Sequence, residues 1–378
     1  MSTREHINQD VRRVLPLRDP AVRPRTGAPL RDSANSALRA GGRGPHSASP
    51  GEQLDVDALV GNRIRAVLAQ LIIGSVYVPR RIAERVIRRR LPATDHYWIM
   101  RLFRALRERY PVMIRYANPV SEAPRQISMY LDLCENNQQW LFRMRGAYER
   151  EWLRVIADAM SEAGCFIDLG ANVGAFTLPI AQAFPKAEVI AVEPLPANYE
   201  ALVRNVHANH LGNVQAVQAV VANGAGRVTF YVNPIHDGGG SIVPSDAYRT
   251  GDIAIDAASY RKRHPSFVAE VDVRAVKLDE LVQGRCVLKV DVEGAEEQVL
   301  RSGAKALAAG LVDVAVVEVR EDTAAGTVAL LDEVGFDSFA YGHRIPLNRV
   351  DAVHAQLGNL LCLRRGTAAH ARLDFADR

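Results

Sequence analysis

Cys165-Phe-Ile-Asp-Leu-Gly-Ala-Asn-Val-Gly-Ala-Phe-Thr-Leu178 is the stretch on which the reading of this chain turns. An apolar run ends in an acid and two glycines and then resumes as amphipathic sequence, the pattern of a buried strand, a tight loop and the start of a helix. Such a loop aims backbone N–H groups and the positive end of a helix dipole at whatever lies above the strand. Gly170 and Gly174 remove the side chains that would block a ligand there.

Downstream of this loop, strand and helix patterns alternate, which predicts an α/β fold with a mostly parallel, doubly wound sheet. The expected strands are Phe166–Leu169, Glu188–Val192, Val214–Val221, Val287–Val290, Val312–Val319, Phe336–Tyr341 and Leu360–Leu363. Helices are expected from near Ala175, through Leu202 and Val206 to near Gly212, and from Ala295. Arg227–Val232 and Val271–Val276 form an extra hairpin around a Gly/Asp/Ser-rich loop from Asn233 to Pro265. A loop that long in a compact domain reads as a lid or substrate loop.

Upstream, residues 1–55 are rich in Arg, Pro, Gly, Ser and Ala and lack apolar periodicity, so they read as a disordered basic arm. The arm has no interleaved aromatics, which argues against a nucleic-acid partner. Helical patterning follows over 55–90, first through Val67, Leu68, Leu71 and Ile72, then through Ile82, Val86 and Ile87 among six arginines. Residues 64–90 suit either a peripheral contact with an anionic membrane or a helical arm packed on the body or on a second subunit. Asp95–Tyr110 and Tyr148–Met160 read as amphipathic helices, and Gln126–Leu133 as a strand.

The 378 residues are 48% hydrophobic and 24% charged, an ordinary soluble composition, and residues 1–95 hold 17 Arg against 9 Asp and Glu. Cys134, Cys165, Cys286 and Cys362 show neither CxxC nor metal spacing and read as buried thiols of a reduced, cytoplasmic protein. The longest apolar run, Ala66 to Val78, is broken by Gln70 and Ser75 and falls short of the ~20 residues of a spanning helix.

Three ligands compete for the glycine loop. A Walker loop is excluded because Ala175-Phe176 stands where Lys and Ser/Thr are required. A dinucleotide loop needs a second glycine at 172, where this chain has Asn172. Glu193, at the end of the next strand, is positioned to accept ribose hydroxyls of any adenosine cofactor. Asp168 is the discriminating residue, because a carboxylate at the mouth opposes a diphosphate and favours an ammonium or a sulfonium. The loop therefore suits S-adenosylmethionine better than NAD. Lys289-Val-Asp291-Val-Glu293-Gly294-Ala-Glu296 then adds two carboxylates at the end of a strand on the same sheet edge. Asp291 and Glu293 are the leading general-base candidates by position, with His236 of the Gly-rich loop third.

These residues resemble the FkbM-type class I methyltransferases. The resemblance lies in Phe166-Ile-Asp-Leu-Gly-Ala-Asn-Val-Gly174, in Val192-Glu-Pro194 with Asn198, and in Leu288-Lys-Val-Asp-Val-Glu-Gly-Ala-Glu296 running into Val299-Leu300 and Gly303. It takes in Gly146-Ala-Tyr-Glu149 and Asn359-Leu-Leu-Cys362 and covers about residues 125–365. It implies a Rossmann-like fold with a mostly parallel seven-strand sheet, and methyl transfer from S-adenosylmethionine, commonly to a hydroxyl of a sugar or secondary metabolite. Asp168, Gly170, Asn172 and Gly174 would line the methionine part of the cofactor, Glu193 would hold the ribose with Asn198 following it, and Val221-Ala222 would border the adenine.

The expected organisation is a basic arm over 1–55, a helical region over 56–124, the methyltransferase domain over 125–366 and a tail over 367–378. No residue is assigned to a metal. The acceptor is expected to be a small molecule or a glycan, and a homo-oligomer is compatible with the helical region. A non-catalytic binding module and an NAD-dependent oxidoreductase are the rival functions; the intact loop opposes the first and Asn172 the second.

Overall fold

A computed structural model of the chain describes residues 61–73 except 63, residue 103, and residues 109–374 apart from 124, 237, 251–252, 265–266, 268, 321, 343–344 and 351–357. The basic arm over 1–55, the arginine-rich stretch after Pro79 and most of the helix expected over Asp95–Tyr110 lie outside the described residues.

The domain is built on an eight-stranded sheet. Its strands are β3 (Cys165–Leu169), β4 (Glu188–Val192), β5 (Val214–Val217), β11 (Cys286–Val290), β12 (Val312–Val319), β13 (Phe336–Gly342), β14 (Ile345–Val350) and β15 (Gly358–Arg364), in the order β14-β13-β15-β12-β11-β3-β4-β5. From β12 to β5 all neighbours are parallel, while β15, β13 and β14 join antiparallel. The doubly wound sheet stands as expected, and β14 adds a strand at one edge.

Strict alternation in these strands serves two cores, because successive side chains leave a strand on opposite faces. Ile167, Leu169, Leu288, Val290, Ala315 and Val317 pack with Val299 and Leu300 of the helix Glu296–Ser302 and with Val328 and Leu331 of the helix Ala324–Glu333. On the other face, Phe166, Val189, Val287, Val314 and Val316 meet Trp152, Val155 and Ile156 of the helix Arg150–Ala159. Each such aliphatic side chain, fully buried, contributes about 1.5–3 kcal/mol. All four cysteines are free thiols, and burial pushes Cys165, Cys286 and Cys362 up to about 12.

Two expectations need correction. The run Val214–Val221 is not one strand: after β5 the chain leaves the main sheet, and β6 (Val220–Val221) pairs instead with β10 (Glu270–Val276). Ala219 between them is fully buried, so the whole run looks apolar although it bridges two sheets. β10 in turn pairs antiparallel with β7 (Gly226–Tyr231), the hairpin expected from the sequence. The intervening loop carries its own hairpin, β8 (Ala247–Thr250) with β9 (Ile253–Asp256), and a helix Ala257–Arg263.

Second, the region expected as helical over 56–124 contains a strand, β1 (Pro111–Ala117), paired antiparallel with β2 (Gln126–Asp132). Val112 and Ile114 are its buried face, with Tyr116 half-buried on the same side; Met113, apolar and half-buried on the other face, hides the alternation. The hairpin's edges are closed by side-chain amides. Asn62 exchanges two hydrogen bonds with the Met113 backbone, and Asn205 and Asn209 do the same for Tyr130 and Ser128. Paired in this way, an exposed edge no longer offers free backbone groups.

Candidate active site

The carboxyl ends of β3, β4, β11 and β12 open on one cavity of about 480 Å³. That is where a parallel α/β sheet holds its ligand, since loops there leave the strands and backbone donors converge. Gly170 has φ +80, and a Cβ on it would stand 1.9 Å from the Asp291 carbonyl oxygen, so the β3 and β11 ends touch only because position 170 has no side chain. Asp291 N donates to Leu169 O at 3.1 Å, and Gly170 N and Ala171 N both donate to Val192 O at 3.0 Å. Three strand ends are thereby tied into one rim.

Glu193 is 4% exposed and organised by its surroundings. Its Oε2 accepts from Asn172 N at 2.9 Å and its Oε1 from Leu195 N at 3.0 Å, with Asn198 Nδ2 at 3.4 Å. Asn172 takes φ 49 to present that N–H, a left-handed conformation that asparagine tolerates better than most residues. Gly174, also at positive φ, serves packing: its missing Cβ leaves room for Leu202 and Leu178.

Of the residues expected to bind or act, Gly170, Asn172, Glu193, Val221, His236, Asp291 and Glu293 line the cavity. Asp168, Gly174, Asn198 and Ala222 do not. Asp168 lies behind the wall, accepting from Thr177 Oγ1 at 2.7 Å, with Lys289 Nζ 3.9 Å away. Burial raises its carboxyl above the usual range, against the pull of Lys289 and Thr177. Asn198 steadies Glu193, and Ala222 packs with Val220 and Phe230.

Lys289 is the hinge between that hidden layer and the wall. Its ammonium is 3% exposed, lies 2.9 Å from Asp291 Oδ2, and sits over the Phe176 ring at 4.8 Å. Burial alone would lower its pKa, but the Asp291, Asp168 and Glu149 carboxylates outweigh it and hold the ammonium charged. Around Asp291 stand three further carboxyls. Burial, with Asp291, pushes Glu293 up to about 8. Asp291 first and then burial push Glu318 up to about 10. Burial pushes Glu149 up to about 7, with Lys289 opposing. Glu149 and Glu293 are also held at φ 40 and 54, strain that the fold must offset elsewhere.

Glu149 and Glu318 were not named from the sequence as site residues. Glu149 belongs to the Gly146–Glu149 motif, quoted there without a role. Glu318 had a usable signal: it is the acid near the carboxyl end of an otherwise apolar strand, next to Asp291, since Val290 is in register with Val317. Trp140, Met144, Tyr148 and Phe230 complete the wall. His236 reaches it on a loop whose glycines run through tight space: a Cβ on Gly240 would press into the Phe230 ring, and one on Gly239 into Asn233 and His236.

This wall fits a cationic adenosine cofactor. Five carboxyl groups and, among the described residues, no Arg or Lys line it, so no cationic side chain on the wall would pair with a diphosphate, while the carboxyl oxygens can accept from an ammonium. Asn172 Oδ1 is enclosed without a hydrogen-bond partner, an acceptor available to a ligand donor. Among the described residues no group of three His, Cys, Asp or Glu side chains is arranged to hold a metal ion.

Residues 168–338 match the family model described as the methyltransferase FkbM domain, a span that runs from the glycine loop through β12 and so carries most of the cavity wall. Methyltransferase sdnD of Sordaria araneosa is 31% identical over 189 residues, which cover 45% of this chain and 73% of that relative. Methyltransferase 1 of Beauveria bassiana is 32% identical over 189 residues, covering 45% and 71%. Among solved structures, M. jannaschii TYW2 in complex with AdoMet is 14% identical with a TM-score of 0.31, over 63% of this chain and 83% of that one, too slight a likeness to bear on the site. Kinship at that identity over nearly three quarters of a relative, joined to the family match on the cavity itself, establishes the assignment: the chain belongs to the FkbM methyltransferase family and takes S-adenosylmethionine as its methyl donor.

Proposed function

We propose that this chain methylates a hydroxyl group of a sugar, a glycan or another secondary metabolite. The reading is carried by Asp291, a carboxylate on the cavity wall whose Oδ2 lies 2.9 Å from the Lys289 ammonium. When bound, S-adenosylmethionine supplies an electrophilic methyl carbon on a sulfonium. Glu193 would hold the ribose, Gly170 and Asn172 the methionine part, and Val221 the adenine.

An alcohol is a weak nucleophile, so a base that takes its proton contributes ~10²–10⁴-fold. Asp291 would be that base, oriented by Lys289, with Glu293 its neighbour and His236 facing from the loop. Glu318 and Glu293, which hold protons at neutral pH, would donate hydrogen bonds to acceptor oxygens. Trp140, Met144 and Phe230 would exclude water and align the acceptor, an effect that reaches ~7–11 kcal/mol.

The test is S-adenosylhomocysteine release across a panel of sugars, glycans and polyketide-type alcohols. Turnover with a free hydroxyl, lost when that hydroxyl is blocked, is expected; methyl transfer to nitrogen or carbon sinks the reading. The chain would work in the cytoplasm, with residues 64–90 as a contact segment.

A further inference from the structure

One helix supplies a continuous part of the cavity wall. Asn137, Trp140 and Met144 of the helix Asn136–Met144 all line the cavity, at spacings of three and four that set them on a single stripe. The other side of the helix is fixed. Leu141 and Phe142 are buried with the β1–β2 hairpin, Gln138 Oε1 accepts from Asp132 N at 2.7 Å, and Gln139 Nε2 donates to Leu133 O at 2.8 Å.

The stripe has an inner and an outer end. A Cβ on Gly238 would stand 3.3 Å from Asn137 Nδ2 and 3.5 Å from Asn172 Nδ2, so the loop over the cavity meets this helix and the glycine loop at one point. Asn137 is therefore the inner end, beside the residues given to the methionine part of the cofactor. Met144, 41% exposed, is the outer end, where the wall reaches solvent. With a rise of about 1.5 Å per residue, Trp140 stands about 5 Å and Met144 about 10 Å along the helix from Asn137. An aromatic ring thus lies one ring's width outward of the cofactor loop. Arg143 covers that ring at 4.6 Å without lining the cavity, so the indole meets the cavity on a side that the guanidinium leaves open.

The polar groups on the wall restrict what can lie there. Glu149, Glu293 and Glu318 join Asp291, and among the described residues no Arg or Lys lines the cavity. A carboxyl oxygen accepts, and a protonated carboxyl also donates; a hydroxyl can meet either state, whereas an anion finds no cationic partner.

We propose that Trp140 determines acceptor specificity, as the platform on which an uncharged, ring-shaped alcohol lays its apolar face, with Met144 at its outer edge and its hydroxyl turned to Asp291. The inference rests on hydroxyl methylation as proposed above. An aromatic side chain offers a large apolar area with few rotamers to freeze, which suits a flat partner.

The test is methyl transfer by the full chain to cyclic alcohols and methyl pyranosides, set against open-chain alcohols of matched carbon number and against phosphorylated forms of the same rings. Turnover of the uncharged rings is expected to exceed that of both other groups. Trp140→Ala should raise KM for the rings about ten- to hundred-fold, the scale of truncating an aromatic anchor, with kcat within about threefold and S-adenosylmethionine affinity unchanged by calorimetry. Trp140→Phe should recover most of the loss. Met144→Ala, at a position already exposed and so safe for folding, should raise KM about threefold. Unchanged KM in both alanine variants, loss of cofactor affinity in Trp140→Ala, or equal use of open-chain or phosphorylated alcohols overturns the inference and leaves hydroxyl methylation standing. Transfer only to nitrogen or carbon, or to nothing in the panel, removes both.

Discussion

The two sides of the cavity hold their carboxylates by different means. On the β3–β4 side, Glu193 rests in a set of N–H donors from Asn172, Leu195 and Asn198, so its geometry is fixed before any ligand arrives. On the β11–β12 side, Glu293, Glu318 and Glu149 crowd around Asp291 and one lysine, and burial together with the neighbouring Asp291 raises all three above the usual carboxylate range. The first arrangement is suited to recognition, where a constant shape is wanted. The second is suited to proton transfer, where a group must change its charge during the reaction.

Substitutions can break this contrast in descending order of effect. Gly170→Ala joins the two sides by force, since its Cβ would meet the Asp291 carbonyl in a backbone conformation with φ +80. We expect a loss of stability of about 3 kcal/mol or more together with loss of S-adenosylmethionine binding, read by thermal melting and calorimetry. Asp291→Asn should lower turnover ~10²–10⁴-fold while the cofactor still binds. Turnover near the parent rate would remove Asp291 from the mechanism.

Glu193→Ala should act the opposite way, weakening S-adenosylmethionine about ten- to hundred-fold, because a bound partner is lost and the Asn172 N–H is left unsatisfied. Unchanged affinity by calorimetry in a folded variant would reverse the roles given to the two sides. The smallest effect is on stability against pH. Glu149, Glu293 and Glu318 bind their protons more tightly folded than at the ordinary value of 4.5, so the native state holds protons that the unfolded chain has released. Stability is therefore greatest below about 4.5 for these groups and falls as pH rises through 7 and 8 toward 10. Melting temperature should drop by a few degrees between pH 5 and pH 9, and Glu318→Gln should flatten the drop.

The β3–β4 side was the more legible in sequence. Glycines, a turn asparagine and an acid at a strand end are local signals, and β3, β4 and Glu193 fall where they were read. The β11–β12 side depends on pairing between distant segments. Glu318 matters because β12 lies beside β11, and Glu149 because a loop before β3 folds over the strand ends. Asp168 misled for the same reason: its position at the mouth of the loop is a fact of sequence, but alternation along β3 and the Thr177 hydroxyl turn it behind the wall. The split at Ala219 and the strand Pro111–Ala117 were hidden because apolar residues on both faces erase the period of two.

The protons on Glu293 and Glu318 also make the cavity an ion exchanger. Any cation that settles among these carboxyls lowers their proton affinity, and the displaced protons must leave to the solvent. Loading the site is then coupled to acidity: the same ligand is held more tightly from alkaline solution, and the heat of its uptake changes with the buffer that receives the protons.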